Sequence, residues 1–342
     1  MLVNNMGKSS VLQSALLVSD ADILVHRSVM RRLCNNLSES FVQLIGRSIV
    51  YFDQPVHMNI GDLAIYEGAQ ILLRSLNVNI VGHNSVLDLG NMARDRSRFI
   101  LKSDLSKVNS LVDRADYIVF HGGGNFGDLW IDHQYMREAV IERFPSSKII
   151  VFPQSVQFKS AAGWDRARRV LSSHKNIMFA ARDAHSYDMM KDVCECIQTP
   201  DTAHMLWTDE ETPRHVGSGG PVLTQSRRDA ENMIGTSDAN QFDWHDIVTP
   251  RDHASRHASE MARRLGIGRD MFSRSWNQTS QRLTRRAIER LAYSSQILTD
   301  RLHGVILAGC AETPCVFTDT GYGKLTRYYE AWLKDSPLVR SA

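Results

Sequence analysis

Three short segments of this chain combine residue types and spacings that can do chemistry. The first is His121-Gly-Gly-Gly-Asn-Phe-Gly-Asp128, which follows the apolar run Tyr117-Ile-Val-Phe120 without a break. Three consecutive glycines at a strand end let the backbone turn sharply and let a ligand approach with no Cβ in the way. A plain crossover turn would need only one, so His121, Gly122, Gly123, Gly124 and Asn125 are read as a ligand-contacting loop. The loop is neither G-x-G-x-x-G nor a Walker sequence, because the Lys-Ser/Thr pair is missing, which argues against a dinucleotide or ATP site. The second segment is Asn59-Ile-Gly-Asp-Leu-Ala64, in which Asn59, Gly61 and Asp62 form the opening turn of a helix. Asp62 has two readings of equal standing: a capping residue of its own helix, or an acid placed to take a proton from a hydroxyl group. The third is Asp300-Arg-Leu-His-Gly304, between the apolar Ile297–Thr299 and an Ala/Gly-rich helix. Arg301 offers a planar fork to a carboxylate or phosphate, His303 can also move a proton, and the helix N-terminus adds partial positive charge.

Further cations stand just after strands in Arg182-Asp-Ala-His-Ser186, Arg227-Arg-Asp229 and Gly321-Tyr-Gly-Lys324. Singly each reads as surface charge; together they would surround one cleft with positive groups, as an acidic small molecule requires. Pro200-Asp201 reads as a plain turn before His204. There is no H-E-x-x-H, no paired C-x-x-C and no Asp-rich metal run, so no metal is expected. No G-x-S-x-G elbow supports a hydrolase.

The elements that must position these residues follow from periodicity. From Ser48 to Gln198, short apolar runs alternate with segments of helical spacing. Uniformly apolar strands alternating with helices argue for a parallel sheet covered on both faces. A linker is expected over 208–220, which is acidic and rich in glycine, and the strand–helix rhythm resumes at Pro221. A short strand is expected at Ile247-Val248, within an otherwise weakly patterned stretch. The chain is thus expected to form a helical lead-in over 1–45, an α/β domain over 46–210, a second over 211–320, and a helix with a tail over 321–342. Ligands of such sheets bind at the carboxyl ends of the strands.

Composition bounds what these elements can build. The 342 residues are 43% hydrophobic and 23% charged, enough for a substantial core. Forty basic against 38 acidic side chains, a formal charge of +2, give no nucleic-acid footprint. Five scattered cysteines do not make a disulfide framework. No apolar run reaches the roughly 20 residues of a membrane helix, and Asp20 and Asp22 break the leader-like run 11–25. A reducing cytoplasm is the expected compartment.

The ordered motifs resemble the polysaccharide pyruvyl transferase family. They are Asn59-Ile-Gly-Asp62, His121-Gly-Gly-Gly124, Phe152-Pro-Gln-Ser155, Arg182 with Ser186, Pro200-Asp201, and Asp300-Arg-Leu-His-Gly304 followed by Lys324. The stretch Asn232–Asn277 follows the family pattern less closely. The resemblance implies two Rossmann-like domains arranged as in GT-B glycosyltransferases, with the active site in the interdomain cleft. It implies transfer of pyruvate from phosphoenolpyruvate onto a sugar as a ketal, with no further cofactor, during assembly of an exopolysaccharide, capsule or cell-wall polymer. It also implies that Arg301, His303 and Arg182 serve the phosphoenolpyruvate donor. On this reading Lys324 joins them at the phosphate, Asp62 is the base, and Asn59, Gly61 and the His121–Asn125 loop shape the acceptor side. The acceptor would be a lipid-linked or nucleotide-linked saccharide, in the cytoplasm or at the inner face of the plasma membrane. The aromatic C-terminal helix with Tyr328, Tyr329 and Trp332 would touch that membrane or pack against the first domain. Two other readings share the fold: a glycosyltransferase using a nucleotide-sugar donor, and a non-catalytic anion- or sugar-binding protein.

Overall fold

The structure, a computed structural model, describes residues 18–215, 220–226, 240–266, 269–319 and 323–342. The opening run with Val11 and Leu16, the Arg227–Asp229 cations, Gly321 and Tyr322 lie outside these residues. The first described element is helix α1 (Asp20–Ser40), started by a reciprocal capping box between Ser19 and Asp22. The first α/β stretch runs β1 (Ser48–Phe52), α2 (Ile60–Ser75), β2 (Asn79–Asn84), the short α3 (Val86–Leu89), β3 (Gly90–Met92), β4 (Phe99–Leu101), α4 (Ser106–Asp113), β5 (Tyr117–Phe120), β6 (Gly123–Gly127), α5 (Ile131–Arg143), β7 (Lys148–Gln157), α6 (Ala161–Ser173), β8 (Ile177–Ala181), α7 (Ala184–Met190) and β9 (Glu195–Gln198). The second runs β10 (Val222–Gln225), β11 (Gln241–Phe242), α8 (Pro250–Leu265), α9 (Arg269–Ala292), β12 (Gln296–Thr299), α10 (Leu302–Cys310), β13 (Cys315–Phe317), α11 (Lys324–Tyr328) and β14 (Val339–Ser341).

Two parallel sheets result, as the alternation predicts. The first orders its strands β2-β1-β5-β7-β8-β9, with β6 alongside the far half of β7; the second orders β11-β10-β12-β13-β14. Strands β3 and β4 form a separate antiparallel pair. Each parallel sheet reverses its direction of growth once. In the first the chain leaves β1 for the β2 edge and returns on the other side as β5; in the second it leaves β10 for β11 and returns as β12. At such a reversal the two outgoing connections diverge and open a crevice at the carboxyl strand ends. The His121 loop follows β5, and Arg301 and His303 follow β12.

Several local expectations are corrected. The cap of α2 is Asn59, whose side chain accepts from Gly61 N, and Asp62 sits in the first turn. Ile247-Val248 is not a strand. Asp243 and Asp246 cap each other across a 3-10 turn over Trp244–Ile247, and that reciprocal capping outweighs the β preference of two branched residues. Strand β7 runs past Pro153 to Gln157, and its pairing register with β8 shifts between Val151 and Gln154, where the proline has no N–H to donate. Part of the glycine loop is itself strand β6, paired with Gln154–Gln157. The tail also carries a strand, since Val339–Ser341 pairs with β13.

One apolar cluster contains residues from both stretches: Ile60, Leu63 and Ile65 of α2 with Trp276, Leu283 and Ile288 of α9 and Val305 and Leu307 of α10. The lead-in helix joins it through Val29, Met30 and Leu33. Buried His26 of that helix bonds Ser336 Oγ at 2.8 Å and Gly309 O at 2.9 Å. Among the described residues no helix is long and apolar enough to cross a membrane.

Candidate functional site

The site is assembled from the carboxyl ends of the strands. Thr199 and Pro200 follow β9, and Asp201 then caps the 3-10 turn Thr202–Thr208 by accepting from Ala203 N at 2.9 Å. Its other oxygen meets a guanidinium and an imidazole. Arg182, just past β8, donates from Nη1 to Asp201 Oδ2 at 2.6 Å, and His303 Nε2, in the first turn of α10, stands 3.4 Å from the same oxygen. Burial alone would raise the Asp201 carboxyl, but His303 and Arg182 together hold it well below the usual carboxylate range. Asp201 is therefore an anion at the junction of residues from the two stretches.

Arg182 is fully buried and fixed on several sides. Its Nε donates to Ser155 Oγ at 2.8 Å, and Ser155 in turn donates to Asp183 Oδ2 at 2.7 Å. Its backbone carbonyl accepts from Trp332 Nε1 at 2.8 Å, and Tyr328 accepts from Asp201 N at 2.9 Å. The aromatic C-terminal segment thus packs against the end of the first sheet. One arm of Arg182, Nη2, is buried and without a hydrogen-bond partner. That arm points at the glycine loop: a Cβ on Gly124 would fall 2.9 Å from Arg182 Nη2 and 2.6 Å from Lys324 Nζ. Two cations thereby flank a backbone stripped of side chain.

The start of α2 closes a second side. A Cβ on Gly61 would strike the His303 ring at Nδ1, so glycine is what lets the helix approach the imidazole. Asn59 Nδ2 donates to Asp62 Oδ2 at 2.9 Å, His57 Nε2 lies 3.6 Å from it, and a Cβ on Gly123 would come 3.6 Å from Asp62 Oδ1. Asp62 therefore faces the glycine loop, whose Gly123 holds φ +123°. His121 is buried beneath it. Its Nδ1 pairs with Tyr51 OH at 2.7 Å, its carbonyl accepts from Gln154 Nε2 at 2.8 Å, and burial drives its pKa down to about 4. His121 is a neutral support of the loop.

The structure thus brings together Arg182, His303, Lys324, Asn59, Gly61, Asp62 and the Gly122–Asn125 loop. The Arg301 guanidinium is held from the second sheet's side, where its Nη2 donates to Asp243 Oδ2 at 2.7 Å. Asp201 has the sequence context of a turn as well as of a family motif, and none of the chemical motifs points to Asp53, His133 or Arg137. Asp53 carried a usable signal, as an acid directly after an apolar parallel strand. His133 and Arg137 carried none, since they look like ordinary polar positions of a helix. A cavity of about 440 Å³ lies apart from these residues, between α2 and α9, with Glu67 in its wall.

Residues 59–322, most of the chain, match the polysaccharide pyruvyl transferase family. The chain is 25% identical to the putative pyruvyl transferase EpsO of Bacillus subtilis, over 85% of this chain and 87% of that protein. It is 30% identical to pyruvyl transferase 1 of Schizosaccharomyces pombe, over 82% of this chain and 68% of that protein. In three dimensions it resembles the crystal structure of an uncharacterized protein of Klebsiella pneumoniae, with a TM-score of 0.53 and 17% identity over 91% of this chain and 98% of that one. That last likeness concerns the fold alone.

Proposed function

Because this chain belongs to the polysaccharide pyruvyl transferase family, we propose that it moves pyruvate from phosphoenolpyruvate onto a sugar of a polysaccharide or its precursor, forming a ketal. The observation that carries the donor assignment is the pair of cations at Gly124: buried Arg182 with an unpartnered Nη2, and Lys324 Nζ. Phosphoenolpyruvate has a carboxylate and a phosphate, and an open guanidinium arm beside an ammonium suits both. In a water-poor pocket such fixed charges stabilise the leaving phosphate with little reorganisation. His303, set by Asp201 and Gly61, is the acid that protonates the donor's C3, making C2 electrophilic. Asp62, facing Gly123, lies on the side where the acceptor's hydroxyls would enter. Arg301, held by Asp243, is assigned to the donor from the second sheet, on a GT-B-like arrangement with the site between the two sheets' carboxyl ends.

The acceptor is a lipid-linked or nucleotide-linked saccharide, and the work is done in the cytoplasm or at the inner face of the membrane. The test is phosphate release from phosphoenolpyruvate against a panel of such saccharides, with Arg182→Ala and His303→Ala beside the natural chain. Turnover by the natural chain, lost in both variants, is expected. Consumption of a UDP-sugar in place of phosphoenolpyruvate, or normal turnover by both variants, would overturn the assignment.

A further inference from the structure

A second charged cluster stands at the carboxyl end of the first sheet, built around a strained aspartate. Asp53 follows β1 with φ +66°, in the left-handed region that non-glycine residues enter at a cost of about 1–3 kcal/mol. The carboxylate is 1% exposed, and each oxygen is engaged. Oδ1 lies 2.6 Å from His133 Nδ1, and Oδ2 accepts from Arg137 Nη2 at 2.5 Å. Arg137 also donates from Nη1 to the carbonyl of Asn125 at 3.1 Å and from Nη2 to the Asn125 side chain. The aspartate is thus tied to the residue next to Gly124. Asp53 and Arg137 are sealed, whereas the His133 side chain is 22% exposed.

The partners decide the chemistry of the ring. Burial would raise the Asp53 carboxyl, but His133 and Arg137 hold it well below the usual range. An ionised Asp53 requires the Nδ1 of His133 to carry a proton, which leaves Nε2 as the nitrogen able to exchange one. The charged and titratable groups around the ring are Asp53, Arg137, Asp62 and His57. Burial pulls the His133 pKa down, and Asp53 overcomes it and raises the value. A strained, fully partnered acid that orients a part-exposed imidazole is costly to keep unless the imidazole works.

We propose that His133, oriented by Asp53 and Arg137, is the base that removes the proton from the attacking sugar hydroxyl, opposite His303 as the acid. This rests on the pyruvyl-transfer reading above. In the first half-reaction the hydroxyl oxygen bonds to C2 of phosphoenolpyruvate and its proton passes to His133 Nε2. The C2=C3 electron pair meanwhile takes a proton from protonated His303, so C3 becomes a methyl group. In the second, another hydroxyl bonds to C2 as the C2–O bond to phosphate breaks. Its proton returns to His303, and His133 gives its proton to the departing phosphate. Both imidazoles end as they began.

The test uses the full chain and two readouts. Carbon-13 NMR of histidine Cε1 follows the His133 titration, which needs no turnover. The midpoint is expected above the ordinary 6.5 and is expected to fall in Asp53→Asn, a variant whose side chain tolerates the left-handed backbone. Phosphate release is then measured from pH 5 to 9 with an active saccharide. His133→Ala should lose about 10²–10⁴-fold in kcat, regain part of it with added imidazole, and keep its donor KM; Asp53→Asn should move the rising limb of the pH profile to lower pH. An unshifted His133 midpoint in Asp53→Asn overturns the pair. Normal turnover by His133→Ala overturns its role while the transferase reading survives. A natural chain that turns over no phosphoenolpyruvate, with the His133 midpoint behaving as expected, overturns that reading and the assigned step together, and leaves the oriented Asp53–His133 pair in place.

Discussion

Asp201 concentrates the site's electrostatics at a single oxygen. It is buried, ionised, and shared between Arg182 and His303 at 2.6 and 3.4 Å. Removing one charge of a buried pair leaves the other uncompensated, which costs more than the pair contributes. Asp201→Asn should therefore lower stability by about 3–5 kcal/mol in urea titration, and a loss under 1 kcal/mol would contradict the burial described. Gly61 acts at the same scale by being absent. Gly61→Ala puts a methyl group against His303 Nδ1, and the imidazole, as the softer partner, must turn. Displacements near 1 Å at a reacting group cost on the order of 10²-fold, so phosphate release should fall by that order with the melting temperature nearly unchanged.

Helix α2 works at its start and at its middle. Its first turn supplies Asn59, Gly61 and Asp62 to the site, and further along it buries Glu67 against α9. Burial pushes the Glu67 carboxyl up from 4.5 to about 7, beyond what neighbouring Ser280, Arg74 and Gln281 offset. The folded state thus holds this proton more tightly than the unfolded chain. The associated stability is complete below pH 4.5 and drains away as pH rises through 7. At 1.36 kcal/mol per pKa unit the loss is about 3 kcal/mol. Glu67→Gln should remove this slope and make the protein more stable than the natural chain at pH 8, as thermal melts at pH 5 and pH 8 would reveal. The gap between the two proteins should widen with pH; a constant gap would refute the buried acid.

Across the whole molecule the acid side is governed by histidines. Burial drives His83, His121 and His204 each down to about pKa 4. They are neutral in the fold and take up protons on unfolding below pH 6.5, so their contribution is intact above 6.5 and is lost as pH falls toward 4. The unfolding midpoint in urea should drop steeply over that interval. His121→Asn should flatten the drop, whereas replacing exposed His245 should not.

The same scales separate what was legible in the chain from what was not. Local order was: Ile49–Phe52 and Tyr117–Phe120 are apolar runs between helical periods, and the burial of nearly every residue in them is what a two-sided parallel sheet demands. The glycine loop, Arg182, His303 and Lys324 were legible because Gly, Arg and His directly after strands have few purely structural uses. The strand expected at Ile247-Val248 gives way to the turn Trp244–Ile247 because reciprocal capping by two aspartates is a side-chain event that hydropathy does not register. The partnerships were not legible at all. Asp53 meets His133 across 80 residues and Asp201 meets His303 across about 100, and no local pattern encodes such distances. The residue order alone determined two parallel sheets and which strand ends carry charge. Only folding decided which charges neutralise one another, because the sheets' crossovers choose which strand ends become neighbours, and burial then makes each pairing obligatory.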